Sequence, residues 1–486
     1  MSATQEQVRL YSGWRERRGF GLMGMSTNQT LIVGGLFVTG MVTIMLVPAA
    51  LVFVVPVLLV VGVLIAGRWH GEPLWDVITR HLTWRVAQRR GWNTYRAGVG
   101  VPADAAWQLP GALAPTALLS ASTDLGVEFG VVWNRRSGTL TAVLRVAPSS
   151  TWLVDAAQAD QWVGNWHGWL AKLGYARTVK SVAVTVETAP APASALAAAV
   201  RGRMDPNAPA AARAVLDDLL AAAPTAAAQI TTRVAITIDP ALAVVTLDTV
   251  EEQCAEMSRL LSGLEVSLGA CGVAVMGRAT TDQIAGWVRV AFDPAARSTI
   301  AGGASGLTWA DARPVAAQEA WDSYTHDSGV SVSWAWDEAP RQAVTADVLA
   351  RIMGPGPHAK RVTMVYRPVA AAQAARELEG EAQATLFKAQ MRRKQGRDES
   401  ARDLADRERA QQAAREEARG AGLVDMQMFA TATVTDPAQL SAAVAEVEHR
   451  AEESRIRLRR LYGGQPVGFA VGLSCGIDPH ALRSGR

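Results

Sequence analysis

Apolar positions dominate one stretch near the amino terminus, from Leu31 to Gly67, where 37 consecutive residues carry no charge. A single helix of this length would measure about 55 Å at ~1.5 Å per residue, well beyond the roughly 30 Å hydrocarbon core of a bilayer. A break around Pro48 gives two helices of about 17 to 18 residues, near the lower limit for a span. The pattern therefore predicts a transmembrane helical hairpin over residues 30–67. A hairpin buried in a soluble core is the alternative.

Basic residues flank this run on both sides, whereas the turn between its halves is uncharged. Loops rich in Lys and Arg tend to stay in the cytoplasm. The flanks therefore predict a two-span protein of the cytoplasmic membrane, with a basic segment (1–29), both termini and the main domain in the cytoplasm. Tryptophans beside the run suit the boundary of water and lipid. The predicted membrane-interface residues are Arg15, Arg17, Arg18, Arg68, Trp69, Trp75, Arg80, Trp84, Arg85, Arg89 and Arg90.

The segment that follows, residues 68–97, has the spacing of an amphipathic helix with interleaved arginines. We expect it to lie on the inner membrane surface, with Trp75 and Trp84 in the headgroup region, because anionic lipids attract basic residues. Docking against the spans of a neighbouring subunit is one alternative. Nucleic-acid binding is another, since arginine and tryptophan together can hold a single strand. The apolar positions at helical spacing are Leu74, Ile78 and Leu82.

Strand and helix patterns alternate through the rest of the chain, after a small, proline-containing linker at 98–119. They predict an α/β (α+β) cytoplasmic region over 120–370 and a strand–helix–strand unit over 423–486. The predicted strands are 127–146 (a hairpin), 178–188, 229–239, 330–336, 360–369, 428–435 and 467–474. The predicted helices are 155–174, two within 191–228, 249–268 and 437–463.

One segment departs from this alternation. Between Arg376 and Arg419, 21 of 44 residues are charged, 11 basic and 10 acidic, among strong helix formers. Such a composition predicts an exposed helical arm over 371–422 that contacts a partner. A solvated or partly disordered insertion without a role is the alternative. The candidate partner-binding residues are Arg392, Arg393, Lys394 and Arg397.

None of the known catalytic motifs considered is complete in this sequence. The stretch GPGPHAKR (354–361) lacks the glycine before lysine and the hydroxyl residue after it that a phosphate loop requires. GLSCG (472–476) matches the nucleophile-elbow pattern at Ser474, but only ten residues follow it. The seven histidines are scattered, and the three cysteines form no ligand cluster. We therefore predict no catalytic, cofactor or metal site. A net charge of +3 also gives direct nucleic-acid contact little support outside the segment beside the spans.

The order of these parts resembles known secretion proteins. The basic amino terminus, two-span hairpin and Arg/Trp segment are similar to PrgI-type or TcpE-type membrane proteins of Gram-positive conjugation systems. The region containing DAAQADQWVGNWHGWLAKLG, the charged arm and FATATVTDPAQL resembles the amino-terminal domain of type IV secretion ATPases. The whole chain is similar to actinobacterial membrane proteins found with conjugation-type ATPases, and distantly to the type VII secretion component EccE.

These resemblances imply a non-catalytic membrane subunit of an oligomeric conjugation channel. Its partners would be membrane lipids, a separate conjugation-type ATPase and other channel subunits. Two alternatives remain: an EccE-like type VII secretion component, and a membrane-anchored enzyme with an unrecognised site.

Overall fold

A computed structural model of the chain gives the fold. Its described residues form two compact units: a smaller one that comprises those up to Asn93 together with Gln383, and a larger one that comprises the others from Thr94 onward. The described residues are 27–46, 51–69, 72–97, 109–149, 154–190, 200–205, 207–222, 228–301, 306–338, 340, 342–370, 373–376, 378–380, 383 and 422–480.

The chain is a mixture of helices and strands. The helices are α1 (Thr27–Leu46), α2 (Leu51–Ala66), α3 (Leu74–Arg89), α4 (Ala156–Leu173), α5 (Ala210–Ala222), α6 (Val250–Leu268), α7 (Thr281–Phe292), α8 (Arg297–Ala301), α9 (Ala350–Met353), α10 (Leu440–Glu453) and α11 (Gln465–Val471). The strands are β1 (Arg68–Trp69), β2 (Glu72–Pro73), β3 (Thr94–Arg96), β4 (Thr116–Ser122), β5 (Glu128–Asn134), β6 (Thr139–Pro148), β7 (Val179–Pro190), β8 (Ala228–Ile238), β9 (Val273–Arg278), β10 (Ala316–Glu319), β11 (Tyr324–His326), β12 (Gly329–Glu338), β13 (Ala359–Pro368), β14 (Val424–Val434) and β15 (Arg457–Arg460).

The smaller unit contains α1 to α3. Helices α1 and α2 pack against each other, and the short β1–β2 pair leads into α3. In α1 the hydroxyls of Thr39 and Thr43 donate to the carbonyls four residues earlier, both at 2.8 Å, so that two polar groups of an apolar helix are satisfied within it. Among the residues that the structure describes, no helix meets the length and hydropathy needed to cross a membrane.

The larger unit is built on one 13-stranded sheet in which every strand pair is antiparallel. Its order is β3-β10-β11-β12-β14-β13-β7-β8-β6-β5-β4, with β15 also beside β12 and β9 also beside β6. The predicted mixture of α and β structure is therefore confirmed, and antiparallel pairing dominates it.

The sheet contains the same arrangement twice. The segment β6-α4-β7-β8-α6-β9 gives the strand order β9-β6-β8-β7, and β12-α9-β13-β14-α10-β15 gives β15-β12-β14-β13. Each is a split βαβ, or ferredoxin-like, unit. A hairpin strand precedes each unit, β5 and β11 respectively, and a further helix follows each, α7 and α11 respectively. The sequence analysis missed this internal duplication.

Local sequence supports the duplication at one turn. After β8 and after β14, an Asp-Pro pair opens a short 3-10 turn, and the aspartate side chain accepts the backbone N–H two residues on. The acceptors are Asp239 at 3.1 Å and Asp436 at 3.0 Å. Proline supplies a fixed φ at the first position of each turn. The same Asp-Pro turn thus follows the third strand of each unit. It leads directly into α10, whereas α6 begins only at Val250, after its N-cap Thr249.

The two faces of the sheet are covered differently. On one face, α4 and α6 pack on the first unit and α10 packs on the second, giving two separate apolar clusters. On the other face, α7 and α11 join a single cluster that reaches both split βαβ units of the sheet, with Phe292 against Phe469 at 5.0 Å between ring centroids. Helices α7 and α11 therefore cover the junction of these two βαβ units.

Strands β7 and β13 form that junction. Seven residues of each strand pair in register, including Thr185 with Thr363 and Glu187 with Arg361. The hydroxyls of Thr185 and Thr363 are hydrogen bonded at 2.9 Å, and both residues are buried. We call this β7–β13 pairing the seam.

Two predicted elements are wrong. The stretch 467–474 is not a strand, because most of it belongs to helix α11 and the remaining residues turn after it. Short apolar runs do not distinguish a buried strand from a buried helix, and α11 is buried at most positions. The helix predicted over 437–463 ends at Glu453. Arg455 takes a left-handed φ of 54°, and the alternating residues of β15 then pair with β12.

The predicted linker also ends earlier than expected. Leu109 and Leu113 are buried in the core beneath α11, and β4 begins at Thr116. The predicted strand–helix–strand unit over 423–486 is not separate from the preceding region, since β14 lies between β12 and β13.

Gly476 offers a test of how closely the turn after α11 approaches the sheet. Its φ is 69°, and a Cβ placed there would lie 1.9 Å from the Thr141 hydroxyl. We expect Gly476→Ala to lower the free energy of unfolding by about 2–4 kcal/mol, from left-handed strain plus overpacking. Chemical denaturation of the full chain measures this. Gly111→Ala is the matched control, with φ 60° but open space around its Cβ. It should cost about 1 kcal/mol, and equal losses would contradict the close approach.

Candidate functional site

Helix α3 exposes a continuous apolar stripe. Trp75, Ile78, Leu82 and Val86 are 53%, 38%, 55% and 45% exposed. At ~100° per residue these four positions lie within about 80° of one another around the helix. No residue of α3 is buried. A stripe of large apolar side chains on an exposed helix indicates a surface that another apolar phase covers.

Positive charge extends this stripe. Arg85 and Arg89 are exposed and lie beside or on its line, and Arg90 follows the helix. The Arg90 guanidinium lies 4.9 Å from the centre of the Trp92 ring, a cation–π contact. Asp76 is the one acidic residue within α3. The exposed face thus combines apolar side chains with a basic end.

The two predicted headgroup tryptophans do not share a face. Trp75 and Trp84 are nine positions apart, which places them about 180° apart around the helix. Trp75 is exposed, whereas Trp84 and Arg80 on the other side are half-buried. The expectation that Trp75 and Trp84 both lie in the headgroup region therefore needs revision, because one flat surface cannot contact both.

Helices α1 and α2 also expose large apolar side chains. The sequences of both helices carry no charge. The exposed residues are Leu36, Phe37, Val38, Met41, Val42, Met45 and Leu46 on α1, and Val52, Val55, Leu59, Val60 and Val63 on α2.

The remaining predicted residues fall into two groups. Arg68 and Trp69 form strand β1. The others lie outside the described residues: Arg15, Arg17, Arg18, Arg392, Arg393, Lys394 and Arg397.

A second candidate site is buried at the seam. The Glu187 carboxylate accepts hydrogen bonds from Arg233 and, at 2.7 Å, from Arg297. Arg361 pairs with Glu187 across β13 and β7. We call these four residues the seam cluster. Burial tends to raise the pKa of Glu187, but the charges of Arg233, Arg361 and Arg297 outweigh it and lower the pKa to about 2.

Aromatic rings cover two of these arginines. The Arg233 guanidinium lies 4.8 Å from the Trp287 ring centre, and that of Arg361 lies 4.8 Å from the Phe469 ring centre. Arg233 and Arg361 are only 2% and 5% exposed. Burial lowers the pKa of Arg361 to about 10. Helices α7 and α11 thus each place one ring over one arginine of the seam cluster.

His326 lies in the same layer and links the elements around it. Its Nδ1 is 2.7 Å from the Phe292 carbonyl, its Nε2 is 2.8 Å from the Ser331 hydroxyl, and that hydroxyl is 2.8 Å from the Thr433 hydroxyl. A carbonyl can only accept, so Nδ1 carries the proton and neutral Nε2 accepts from Ser331. Burial, as the main cause, lowers the pKa of His326 to about 4.

The two motifs that resemble catalytic patterns have structural roles. Ser474 has a φ of 59°, as in a nucleophile elbow, but it is buried and its hydroxyl donates to Thr185 at 3.1 Å. In the 354–361 stretch, His358 contacts the Glu446 carboxylate at 2.9 Å, and Arg450 donates to nearby carbonyls. Within the described residues, no group of three or more His, Cys, Asp or Glu side chains could hold a metal ion.

Sequence reasoning missed the seam cluster and His326. The sequence carried a signal, because Glu187 and Arg233 are charged residues within the largely β-branched, apolar and hydroxyl sequences of β7 and β8. A lone charge in a buried strand requires a partner. The pairing of β7 with β8 brings Glu187 to Arg233, but Arg361 comes from β13, and the β7–β13 pairing joins residues more than 170 positions apart.

No family model matches the chain, and no curated protein matches it significantly.

His326 predicts how stability depends on pH. The folded state keeps this histidine neutral down to about pH 4, whereas the unfolded chain binds a proton near pH 6.5. The contribution of His326 to stability is therefore lost as the pH falls from 6.5 toward 4, by about 2 kcal/mol between pH 7 and pH 5. Glu319, whose pKa burial raises to about 7, contributes with the opposite sign over this range. Denaturant unfolding of the unmodified chain and of a His326 variant at the two pH values therefore isolates the share of the histidine.

His326→Gln should remove most of that pH dependence, because the variant has no imidazole to protonate at this position. His449→Gln is the control, since His449 is 72% exposed. An unchanged pH dependence in His326→Gln would contradict the role of the buried imidazole.

Proposed function

We propose that this protein is a membrane-anchored structural subunit of a conjugative, type IV secretion-like translocation apparatus. In this proposal the predicted hairpin over residues 30–67, which contains most of α1 and all of α2, anchors the chain in the membrane, and the larger unit lies in the cytoplasm. There it docks a separate ATPase that supplies the energy for transport. The observation that carries the proposal is the uncharged, exposed apolar surface of α1 and α2 together with the stripe on α3.

The exposed apolar surface of α1, α2 and α3 favours contact with a membrane over contact with water. An apolar side chain left in water forgoes roughly 1.5–3 kcal/mol of transfer free energy. Among the side chains that the structure describes, twelve large apolar ones are exposed on α1 and α2 and four on α3. Soluble proteins rarely expose contiguous apolar patches of this kind without a partner. A bilayer covers all of them without a specific complementary surface.

The composition of the α3 face favours an interfacial position for this helix. Its apolar stripe suits the boundary of headgroups and acyl chains, and Arg85, Arg89 and Arg90 suit anionic headgroups. Each basic residue near an anionic surface contributes about 1 kcal/mol of attraction. This supports α3 as an anchor that holds its residues at the membrane surface beside α1 and α2.

The docking role rests on the resemblance to conjugation proteins and to the amino-terminal domain of secretion ATPases. The all-antiparallel, duplicated sheet supports it in one respect, since such a body offers a large, rigid surface. A type VII secretion component would use the same anchor and body, so the identity of the partners decides between the two systems.

Neutralising the basic end of α3 tests the anchor. The triple change Arg85→Gln, Arg89→Gln and Arg90→Gln should weaken binding to vesicles that contain anionic lipid by roughly tenfold or more, because about 3 kcal/mol of attraction is removed. Flotation of the full chain with such vesicles measures this. The matched control changes three exposed arginines of the larger unit: Arg135→Gln, Arg136→Gln and Arg203→Gln. Equal losses in both triples would contradict the role of α3.

The partners are identified by crosslinking in native membranes, with purification through a carboxyl-terminal tag and mass spectrometry. We expect a conjugation-type ATPase and a coupling protein, and reduced recovery with the α3 triple. Recovery of type VII secretion subunits would instead assign the chain to that system. Recovery of neither set would overturn the proposal.

A further inference from the structure

We propose that the seam cluster binds a small inorganic anion, chloride, between the guanidinium groups of Arg361 and Arg297. This inference concerns the larger unit and stands independently of the membrane proposal.

The charges of the seam cluster do not balance. Three guanidinium groups, those of Arg233, Arg297 and Arg361, lie around one carboxylate, that of Glu187. The carboxylate accepts from Arg233 and Arg297. Buried charges are ordinarily paired, because an unpaired ion loses several kcal/mol of hydration. The surplus of two positive charges therefore calls for a negatively charged partner that the side chains do not supply.

Arg361 locates the missing partner. Its Nε and Nη2 atoms are buried and, within the described part of the chain, have no hydrogen-bond partner. The Phe469 ring lies against its guanidinium at 4.8 Å and offers a π-face but no acceptor oxygen. The N–H groups of buried arginines nearly always have a hydrogen-bond acceptor. The unpaired Nε and Nη2 atoms of Arg361 therefore indicate that an acceptor binds beside them.

The space beside Arg361 limits the size of that acceptor. A cavity of about 10 Å³ is lined by Arg361, Arg297, Glu187, Val290 and Thr433. That volume is at the lower limit for one water molecule. Phosphate, nucleotides and carboxylate-bearing molecules are far larger, whereas chloride is somewhat larger than water and requires the walls to move outward.

A second, wider cavity adjoins the small one. Its volume is about 240 Å³, and it shares Glu187, Val290 and Arg297 with the small cavity. Arg297 has 18% of its side chain exposed, so the seam cluster has one arginine that solvent reaches. A bound chloride would give the seam the negative charge that Glu187 alone lacks.

Thermal unfolding of the full-length chain tests the proposal. Sodium gluconate is replaced stepwise by sodium chloride at constant ionic strength, and unfolding is followed by tryptophan fluorescence. We expect a saturating rise in Tm of about 3 °C or more, because a ligand that binds only the folded state stabilises it. Arg361→Met should abolish the rise. Gluconate is too large for the cavity and serves as the reference anion.

Arg278→Met is the matched control. Only 8% of the Arg278 side chain is exposed, and it also lies over an aromatic ring, Phe129, at 4.9 Å, but Glu265 balances its charge at 2.7 Å. Its chloride response should equal that of the unmodified chain. An absent response in the unmodified chain, or an undiminished one in Arg361→Met, would overturn the proposal.

A second measurement does not depend on the folding of a variant. Chloride NMR of the unmodified protein should show excess line broadening that bromide reverses by competition. Arg297→Gln should reduce the broadening. If the broadening is absent, or persists undiminished in Arg297→Gln, the cavity holds only water.

Discussion

The backbone pairing of β7 with β13 is the constraint on which the larger unit depends. Without it, the two split βαβ units would be separate domains with an open edge each, and exposed edges invite pairing with other chains. The pairing also creates the surface that α7 and α11 cover together. The core of that face therefore belongs to neither unit alone, and folding of one half should depend on the presence of the other.

The strands are polar on the face that α7 and α11 cover. One hydroxyl pair lies at the seam, Thr185 with Thr363, and one lies within each split βαβ unit, Thr141 with Thr237 and Ser333 with Thr431, each at 2.9–3.0 Å. Hydrogen bonds between fixed partners specify a register more strictly than interchangeable apolar contacts do, because a misplaced partner leaves a buried group unsatisfied. The seam cluster extends the same logic to charges. We infer that polarity here secures the alignment of the two halves rather than adding much stability.

The sequence alone predicted those helices and strands whose pattern of apolar and polar residues is local. Long periodic helices such as α4 and α6, and alternating strands such as β12 and β14, were all predicted close to their observed positions. It failed where a short segment is buried on every side, as in α11, since such a run lacks a polar face to reveal its period. The charged pairs of the seam were also unpredictable, because strands far apart in the chain bring them together. On α3 the apolar spacing was visible, but the position of Trp84 on the opposite side was overlooked.

The duplication gives the chain two equivalent places for inserted sequence. In an ordinary split βαβ unit the second and third strands are joined by a tight hairpin, whereas here the connections run from Pro190 to Ala228 and from Pro368 to Val424. Because β7 and β13 are antiparallel, these connections leave from opposite ends of the sheet. Lengthening either one would leave every strand register intact. The connection at one end of the sheet can therefore change in length without moving the strand ends at the other.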